Sequence, residues 1–271
     1  MTKGFYNLTS AMLTHGRMLD ISSNNIANVA TAGFKTDRFT GATFQEVMWQ
    51  ITGNRIKNYE DIGEQSFITA PSQMYTDFTQ GNLDHTGLAL DFAINGPGWF
   101  AIERRNIEIN EETGAEEENI ERVYTRGGSF MLDNEGYLYL AGQGRVLSAT
   151  EQPIQLATDR LNPDNYGGLY TDNGAFRGRI GVFVFGDGSA ESNEENLEKN
   201  AQGLFTANEG AEPQARTTQV LNGWVERSNM DWVKEMTQML SIQRAYQSAA
   251  EVIKIYDNIL TRVTQEAGRL T

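Results

Sequence analysis

The sequence predicts a mixed fold with two parts. The two ends of the chain are expected to form one discontinuous α-helical coiled-coil domain, and the middle a central all-β domain like a small sandwich or barrel. At both ends, apolar residues recur at alternating steps of three and four, which is the spacing of a helix that packs along another helix. Between them, short alternating runs separated by glycine-containing turns are typical of a sandwich or barrel.

The first helix is predicted to start near Phe5 and to end near Val29. Its repeat forms one mostly apolar seam, in which polar residues at His15 and Ser22 can fix the register with a partner helix. Gly33 follows shortly afterwards, and a glycine in the left-handed conformation commonly ends a helix. The seam consists of Phe5, Leu8, Met12, His15, Leu19, Ser22, Ile26 and Val29.

The second helix is predicted to run from Trp232 to Ala267, because neither Gly nor Pro interrupts the repeat there. Ser228 or Asn229 is expected to cap its start, with Asp231 in its first turn. A helix of roughly 35 residues is about 50 Å long, more than a small domain can cover, so it needs a partner. Its seam consists of Trp232, Met236, Met239, Gln243, Tyr246, Ala250, Ile253, Tyr256 or Asp257, Leu260, Val263 and Ala267.

The matching seams predict that the first helix is the partner of the second. In that arrangement residues 1–33 and 222–271 together form the terminal helical domain. The alternative is that each helix docks separately on the middle of the chain.

Residues 34–80 are predicted to be an extended connector with a break at Pro71, and residues 81–221 to be the central β domain with acidic loops. Residues 186–218, except residues 196–204, lack periodicity, and the stretch is expected to be a loop or linker that returns to the final helix. Strands are predicted at 88–94, 99–102, 107–123 as a hairpin with its charged tip at 111–118, 124–132, 137–140, 145–147 and 180–185.

Composition restricts the possible functions. The formal net charge is −14, and residues 41–221 carry all of the excess acid, since residues 1–40 hold four bases and two acids and residues 222–271 hold six of each. Such an acidic chain argues against nucleic acid as a partner, which requires a basic footprint. The chain has no cysteine, and no apolar run approaches the roughly 18 residues of a membrane span. Its start lacks the pattern of a cleaved signal peptide, so any export is expected to use another route.

No residue pattern predicts catalysis, a cofactor or a metal site. The two histidines, His15 and His85, have no second His or Cys at ligand spacing. Residues 187–198 resemble a calcium-binding loop only faintly, because Ser192 stands where the sharp turn needs glycine. The glycine turns at 96–98 and 142–144 lie between strands and not at the start of a helix, where phosphate would bind. We therefore expect a protein that is not an enzyme.

The end of the first helix carries a recognisable motif. Residues 23–35 read SNNIANVATAGFK, which resembles the signature S-x-N-I-A-N-x-x-T-x-G-[FY]-K that closes the first helix of flagellar rod and hook proteins. The chain departs from that family at Ala30, where a polar residue is frequent, and at Ala32, where proline is frequent. The motif positions singled out are Asn25, Ala27, Asn28, Thr31, Gly33 and Phe34.

Three further stretches resemble the same family in the same order. Residues 90–100 read LDFAINGPGWF, residues 124–138 contain YTRGGSFMLD and then GYL, and residues 221–246 contain LNG, VE, SNM and QRAY. Pro97 and Gly127 depart from the Asp and Asn that are frequent in the family. The central positions singled out are Asp91, Gly96, Gly98, Arg126, Ser129, Asp133 and Gly136.

The resemblance implies a structural subunit of the flagellar basal-body rod, proximal or distal, which is the axial drive shaft for motility in the bacterial cell envelope. Such a subunit would be exported unfolded by the flagellar export apparatus, without a cleaved signal. It would polymerise through its terminal helices with itself and with other axial rod and hook proteins, and it would need no cofactor. The residues alone leave two other classes open: a monomeric secreted β-domain binding module with an intramolecular helical stem, and a secreted hydrolase.

Overall fold

The computed structural model describes residues 2–43, 69–109, 116–156, 161–185, 196–200, 202–208 and 210–269. Within them, a helix at each end encloses seventeen strands, so the fold is mixed, with an N-terminal helix, a β-rich middle and a C-terminal helix. Most of the predicted hairpin tip at 111–118 and of the calcium-like stretch at 187–198 lies outside the described residues. No helix in the described part is long and apolar enough to cross a membrane.

The chain divides into two compact units. The first contains both helices and the strand pair β1–β2, and the second contains Asn28–Thr36 and the strands between Phe78 and Met230. Residues 28–36, which follow the first helix, are therefore part of the β-rich unit.

In the first unit, α1 (Thr2–Ala27) packs against α2 (Trp232–Gly268), and β1 (Asp37–Thr43) pairs antiparallel with β2 (Thr69–Thr76). The expected break at Pro71 is wrong, because β2 continues through it. The ribbon has only two strands, so both are edges, and the register shifts opposite this proline, which are the conditions under which a strand tolerates proline.

The start of α2 is capped by Asp231 and not by Ser228 or Asn229 as expected. Its Oδ1 accepts hydrogen bonds from the backbone N–H groups of Val233 at 3.0 Å and Lys234 at 3.1 Å. A carboxylate at this position satisfies two free donors and complements the helix dipole.

The strands of the second unit are β3 (Leu83–His85), β4 (Phe92–Asn95), β5 (Trp99–Ile109), β6 (Glu116–Thr125), β7 (Phe130–Leu132), β8 (Leu138–Leu140), β9 (Gly144–Val146), β10 (Gly168–Tyr170), β11 (Phe176–Arg179), β12 (Val182–Phe185), β13 (Leu197–Lys199), β14 (Phe205–Ala207), β15 (Pro213–Ala215), β16 (Gln219–Asn222) and β17 (Trp224–Glu226). The unit is built on a nine-stranded sheet in the order β13-β14-β6-β5-β9-β8-β7, with β12 pairing to both β5 and β15. Three two-stranded pairs, β4–β16, β3–β17 and β10–β11, complete it.

The first four residues of β5, Trp99 to Ile102, are all buried, so both faces of the strand are covered there, which is why the sequence WFAI is apolar without alternation. Trp99 and Ala101 belong to one buried cluster, with Tyr124 and Phe205. Phe100, between them in the chain, belongs to a second cluster that also contains Phe92, Ile94, Phe130, Leu138, Val146, Ile154 and Leu169.

Two expectations for the middle of the chain are wrong. A single strand was expected at 124–132, but β6 ends at Thr125 and β7 starts at Phe130, because Gly128 lies so close to the Phe92 backbone that a Cβ would be 1.7 Å from its carbonyl oxygen. The expected loop at 186–218 contains β13, β14 and β15. Strands of three residues are too short to show an alternating pattern, although Leu197 and Phe205 are buried.

Candidate functional site

Lys35, the last residue of the family motif, lies in the interior of the second unit. The Lys35 side chain is fully buried, and its Nζ lies 2.8 Å from Glu226 Oε1. The same Nζ donates a hydrogen bond to the Thr79 carbonyl oxygen at 2.7 Å. The two charged residues are 191 positions apart in the chain, so this contact joins its beginning to its end.

Glu226 is the centre of the arrangement. Its Oε1 also accepts a hydrogen bond from the Gly81 backbone N–H at 3.0 Å, and its Oε2 accepts one from Arg126 Nη1 at 3.3 Å. The Arg126 guanidinium in turn lies over the Trp99 ring, 5.2 Å from its centroid. A buried carboxylate is expensive to desolvate, and here three donors and two positive charges offset that cost.

Two glycines let the backbones meet beside this carboxylate. The Gly33 N–H donates to the Glu226 carbonyl oxygen at 2.7 Å, and Gly33 has φ of +70°. A Cβ on Gly33 would lie 2.1 Å from the backbone nitrogen of Gly127, which real contacts never allow. We call the group Gly33, Lys35, Gly81, Arg126, Gly127 and Glu226 the Glu226 junction.

Contacts on both sides hold the motif segment in the Glu226 junction. Lys199 Nζ lies 4.0 Å from the centroid of the Phe34 ring and donates to the Lys35 carbonyl oxygen at 2.8 Å. Asn229 Oδ1 accepts the Thr36 N–H at 3.0 Å, and its Nδ2 donates to Thr79. Asn229 thus fixes this segment and does not cap α2.

A second polar cluster lies in the first unit, around Asn25. Its side chain is buried at the end of α1, where Oδ1 accepts the Asp37 N–H at 3.1 Å and Nδ2 donates to the Asp37 carbonyl oxygen at 2.9 Å. The same Nδ2 lies 3.3 Å from Glu235 Oε1 in the first turn of α2. One amide therefore ties together the end of α1, the start of β1 and the start of α2.

The remaining motif residues shape the turn after α1. The Asn28 carbonyl oxygen accepts the Thr31 N–H at 3.1 Å, and Asn28 Oδ1 accepts the Thr31 hydroxyl at 3.3 Å. Ala27 is the last residue of α1 and is exposed.

The predicted seam residues differ in exposure. On α1, Leu8, Met12, His15, Leu19 and Ile26 are half-buried and Phe5 is 43% exposed. On α2, Met236, Met239, Tyr246 and Ile253 are half-buried, while Trp232, Leu260 and Val263 are 52%, 45% and 49% exposed.

The most buried helix positions include residues that the seam assignment did not contain. These are Thr14 and Asn25 on α1 and Ile242 and Ala249 on α2. Ile242 and Ala249 are seven residues apart and repeat like Met239 and Tyr246. The heptad spacing is compatible with Ile242 and Ala249. It fits the neighbouring residues Gln243 and Ala250 equally well, so spacing alone did not distinguish the two pairs.

The central motif residues occupy turns and close approaches in the second unit. Asp91 is buried, accepts a hydrogen bond from the Thr86 hydroxyl at 2.5 Å and forms an isolated bridge with Ser129. Gly96 has φ of +116° and Gly98 has φ of +131°, and a Cβ on Gly98 would lie 2.4 Å from Val182 Cγ1.

Asp133 organises the turn between β7 and β8, in which Gly136 has φ of +79°. Its Oδ1 accepts the N–H groups of Glu135 and Tyr137, and its Oδ2 accepts a hydrogen bond from Arg145 Nη2 at 3.0 Å. Burial by itself would raise the pKa of the Asp133 carboxyl, but these backbone donors and the Arg145 guanidinium lower it below its ordinary value.

The arrangement is one that fixes chain segments to one another. The charged groups of Lys35 and Glu226 bind each other. Lys35 also donates to the Thr79 carbonyl oxygen, and Glu226 also accepts from Gly81 and Arg126. Within the described ranges, no three His, Cys, Asp or Glu side chains converge in a way that could hold a metal ion.

Comparison with known proteins identifies both ends of the chain. Residues 5–35 match the model of the family described as flagella basal body rod protein. Residues 221–266 match the model of the flagellar basal body rod FlgEFG protein C-terminal family. Both members of the Lys35–Glu226 ion pair lie within these matched stretches.

Whole-chain relatives agree with the matches at the ends. The chain is 30% identical over 283 residues to the flagellar basal-body rod protein FlgG of Bacillus subtilis, covering 96% of this chain and 97% of that protein. It is 29% identical over 273 residues to the flagellar basal-body rod protein FlgF of Caulobacter vibrioides, covering all of both chains. It is also 31% identical over 183 residues to the flagellar hook protein FlgE of Helicobacter pylori, covering 62% of this chain and 23% of that protein.

Proposed function

The chain belongs to the flagellar basal-body rod protein family, and from this premise we propose how it works as a structural rod subunit. Its two terminal helices pair as an antiparallel coiled coil, and these pairs assemble with those of neighbouring axial proteins into the rod. The observation that carries this proposal is the set of apolar residues that the paired helices leave exposed. No catalytic step is part of this function.

The inward-facing residues of both helices support a coiled-coil pairing. They recur at steps of three and four, as knobs-into-holes packing requires. The contact between Asn25 and Glu235 brings the end of α1 to the start of α2, so the helices run antiparallel. The inward positions are Leu8, Ala11, His15, Met18, Ser22 and Asn25 on α1, and Met239, Ile242, Tyr246, Ala249, Ile253 and Tyr256 on α2.

The far end of α2 supports assembly with neighbouring subunits. α1 has 26 residues and α2 has 37, which correspond to about 39 and 55 Å, so the last turns of α2 extend beyond α1. Ile255, Ile259, Leu260 and Val263 in this part are each about half exposed. Fully burying such a side chain contributes roughly 1.5–3 kcal/mol, so covering its exposed half contributes about half of that, and several together favour a covered state.

The Glu226 junction lies within the β-rich unit. It holds the residues that directly precede β1 and those that shortly precede α2 by buried contacts. We propose that residues 1–27 and 231–271 of the helical unit carry the assembly contacts, and that residues 28–36 and 78–230 form the acidic, β-rich unit of the subunit.

The site of action is the flagellar basal body, and other axial rod and hook proteins are the partners. We propose that the chain is exported unfolded by the flagellar export apparatus into the periplasmic part of the cell envelope. A contact that is not self-complementary and does not close into a ring continues as a helical tube, which is the form that a rod requires.

A double substitution tests the proposed assembly surface. Phe5→Asp with Ile259→Asp places a charge on each helix at an apolar residue that the helix pair leaves exposed, where burial in an assembled rod would be costly. Cells that carry this variant are expected to lose rods, counted in isolated basal bodies, and to stop swimming. The matched control is Asn7→Asp with Gln247→Asp, which adds the same charges at exposed polar positions of the same helices. If the first variant builds rods as the control does, the helices are not the assembly surface.

A further inference from the structure

The chain contains three asparagine–glycine pairs, at residues 95–96, 173–174 and 222–223. In such a pair the backbone nitrogen of the glycine can attack the side-chain carbonyl carbon of the asparagine, because no side chain on the glycine shields that nitrogen. Glycine also adopts many backbone conformations, which helps the two atoms to meet. The structure restrains the three pairs to different degrees, so the three asparagines are expected to differ in reactivity.

Asn95 is exposed at the end of β4, but its amide is held by a distant strand. Its Nδ2 donates a hydrogen bond to Gln219 Oε1 in β16 at 2.8 Å, and the two residues are directly opposite each other in that strand pair. The Gly96 N–H donates to Gln80 Oε1 at 3.3 Å. Attack by the Gly96 nitrogen therefore requires contacts with two other segments to open.

Asn222 is held by its neighbours at the end of β16. Its Nδ2 donates to the Ala89 carbonyl oxygen at 2.7 Å. The N–H of Gly223, which is buried, donates to the Asp91 carbonyl oxygen at 2.8 Å. This pair can react only when the contact between residues near 90 and residues near 222 opens.

Asn173 has no such restraint. It is exposed in the turn between β10 and β11, and within the described residues its side chain makes no hydrogen bond. The Gly174 N–H donates to the Thr171 carbonyl oxygen at 2.8 Å, which is a contact inside the same turn. A Cβ built on Gly174 would meet no atom within 4 Å, so no other described segment packs on the turn at this point.

The hairpin below this turn has its own contacts. Tyr170 pairs with Phe176 across the two strands, with 5.4 Å between the ring centroids, and the neighbouring Leu169 is fully buried. The turn can therefore open while the strands stay paired. Segments with few buried contacts and exposed backbone hydrogen bonds open most easily, so the tip of this hairpin opens more often than the sites of Asn95 and Asn222.

We propose that Asn173 is a site of spontaneous covalent modification, at which the side-chain amide is lost and an acid takes its place. The Gly174 nitrogen attacks Asn173 Cγ and gives up its proton to water as the new N–Cγ bond forms. The Cγ–Nδ2 bond breaks, and Nδ2 leaves as ammonia. Water then opens the resulting cyclic imide at one of its two carbonyl carbons, which yields aspartate or isoaspartate. The reaction consumes one water, and nothing is oxidised or reduced.

The modification changes both the charge and the backbone of the turn. The product places a carboxylate next to Asp172, so the tip carries two adjacent acids in a chain whose net charge is already −14. In isoaspartate the main chain passes through the former side-chain carbon, which lengthens the turn and disturbs the hydrogen bond between Thr171 and Gly174. This inference does not depend on the proposed function, because the hairpin lies outside the terminal helices.

Mass spectrometry of the full chain tests the site. The purified protein is incubated at mildly alkaline pH and physiological temperature in water that carries a heavy oxygen isotope, and is then digested. We expect acid to form at Asn173 at least about tenfold faster than at Asn95 or Asn222, because opening free energy enters the rate exponentially. The heavy oxygen marks acid that formed during the incubation and not during sample preparation.

Two variants address the chemistry. Gly174→Ala is expected to slow the loss of the amide by about tenfold or more, because a methyl group then hinders the attacking nitrogen. Asn173→Gln should form no acid at this position during the same time, because its longer side chain closes the ring much more slowly. The matched control is Gly142→Ala, also at a turn glycine with positive φ and open space around its Cβ position, and it should leave the rate at Asn173 unchanged.

Circular dichroism establishes that each variant is folded before the rates are compared. The proposal is overturned if Asn173 keeps its amide, or if the three asparagines lose theirs at equal rates. It is also overturned if folded Gly174→Ala reacts as fast as the wild-type chain. Faster loss at Asn95 or Asn222 than at Asn173 would likewise contradict it.

Discussion

Glu226 shows how one residue can hold three distant segments together. Its carboxylate accepts hydrogen bonds from Lys35, Gly81 and Arg126, and its backbone carbonyl accepts one from Gly33. Such a buried ion pair adds little net stability compared with apolar residues of the same size. Breaking it by removing one partner is costly, because a buried charge loses its counter-ion.

Replacing Glu226 by glutamine tests this role at the residue scale. Glu226→Gln keeps the size of the side chain and removes the negative charge next to Lys35 and Arg126. We expect it to lower the free energy of unfolding by about 3–5 kcal/mol, measured by urea denaturation.

Two comparisons make this measurement specific. Glu212→Gln, at an exposed position, is expected to change the free energy by less than about 0.5 kcal/mol. Lys35→Met combined with Glu226→Gln should cost less than the sum of the two single changes. Equal denaturation of Glu226→Gln and wild type would contradict the assignment.

At the scale of elements, glycine has a different role within α1 than in the segment after it. α1 is a helix whose Gly16 has no atom within 4 Å of a Cβ position, so nothing in the structure requires glycine there. Gly33, after the helix, has a positive φ and touches the Gly127 backbone. Gly16 therefore affects stability only through the low helix propensity of glycine. Gly33 is required because two backbones approach each other closely there.

Alanine at these two positions is expected to act in opposite directions. Gly16→Ala should stabilise the protein by about 0.5–1 kcal/mol, because glycine is unfavourable inside a helix. Gly33→Ala should destabilise it by roughly 3 kcal/mol or more, because the strained φ and the clash with Gly127 add together. Thermal unfolding followed by circular dichroism measures both, and an equal effect of the two substitutions would refute the contrast.

At the scale of the whole molecule, the end of the chain completes what its beginning starts. β16 pairs with β4, β17 pairs with β3, and Glu226 in β17 binds Lys35. The second unit is therefore incomplete until residues near 226 are present. In the proposed export of the unfolded chain, this unit can therefore close only once residues near 226 are present.

Two truncated chains test the dependence on the end of the chain. A chain that ends at Met230 lacks α2 but keeps β17, and its β-rich unit should unfold within a few degrees of the same unit in the full chain. A chain that ends at Gly223 also lacks β17 and Glu226, and its midpoint should fall by more than about 10 °C, since roughly 1 kcal/mol corresponds to 2–4 °C at this size. Equal midpoints of the two truncated chains would show that Glu226 does not complete the unit.

The elements that depend on local patterns could be predicted from the residues alone. The heptad spacing predicted both terminal helices to within a few residues of Thr2–Ala27 and Trp232–Gly268, and glycine turns predicted the β-rich middle. The motif residues also identified the family before any contact was known. These features are readable because helix periodicity and turn chemistry involve neighbours in the chain.

The contacts between residues far apart in the chain could be identified only from the folded protein. The motif showed Lys35 and the closing segment showed Glu226, yet nothing local indicates that they form a buried pair across 191 positions. The same holds for Asn25 with Glu235, and for β13 to β15, whose three-residue strands owe their existence to the sheet that they join. A sequence pattern reports the geometry of adjacent residues, whereas partners far apart in the chain are selected by packing and by the need of buried charges for a counter-ion.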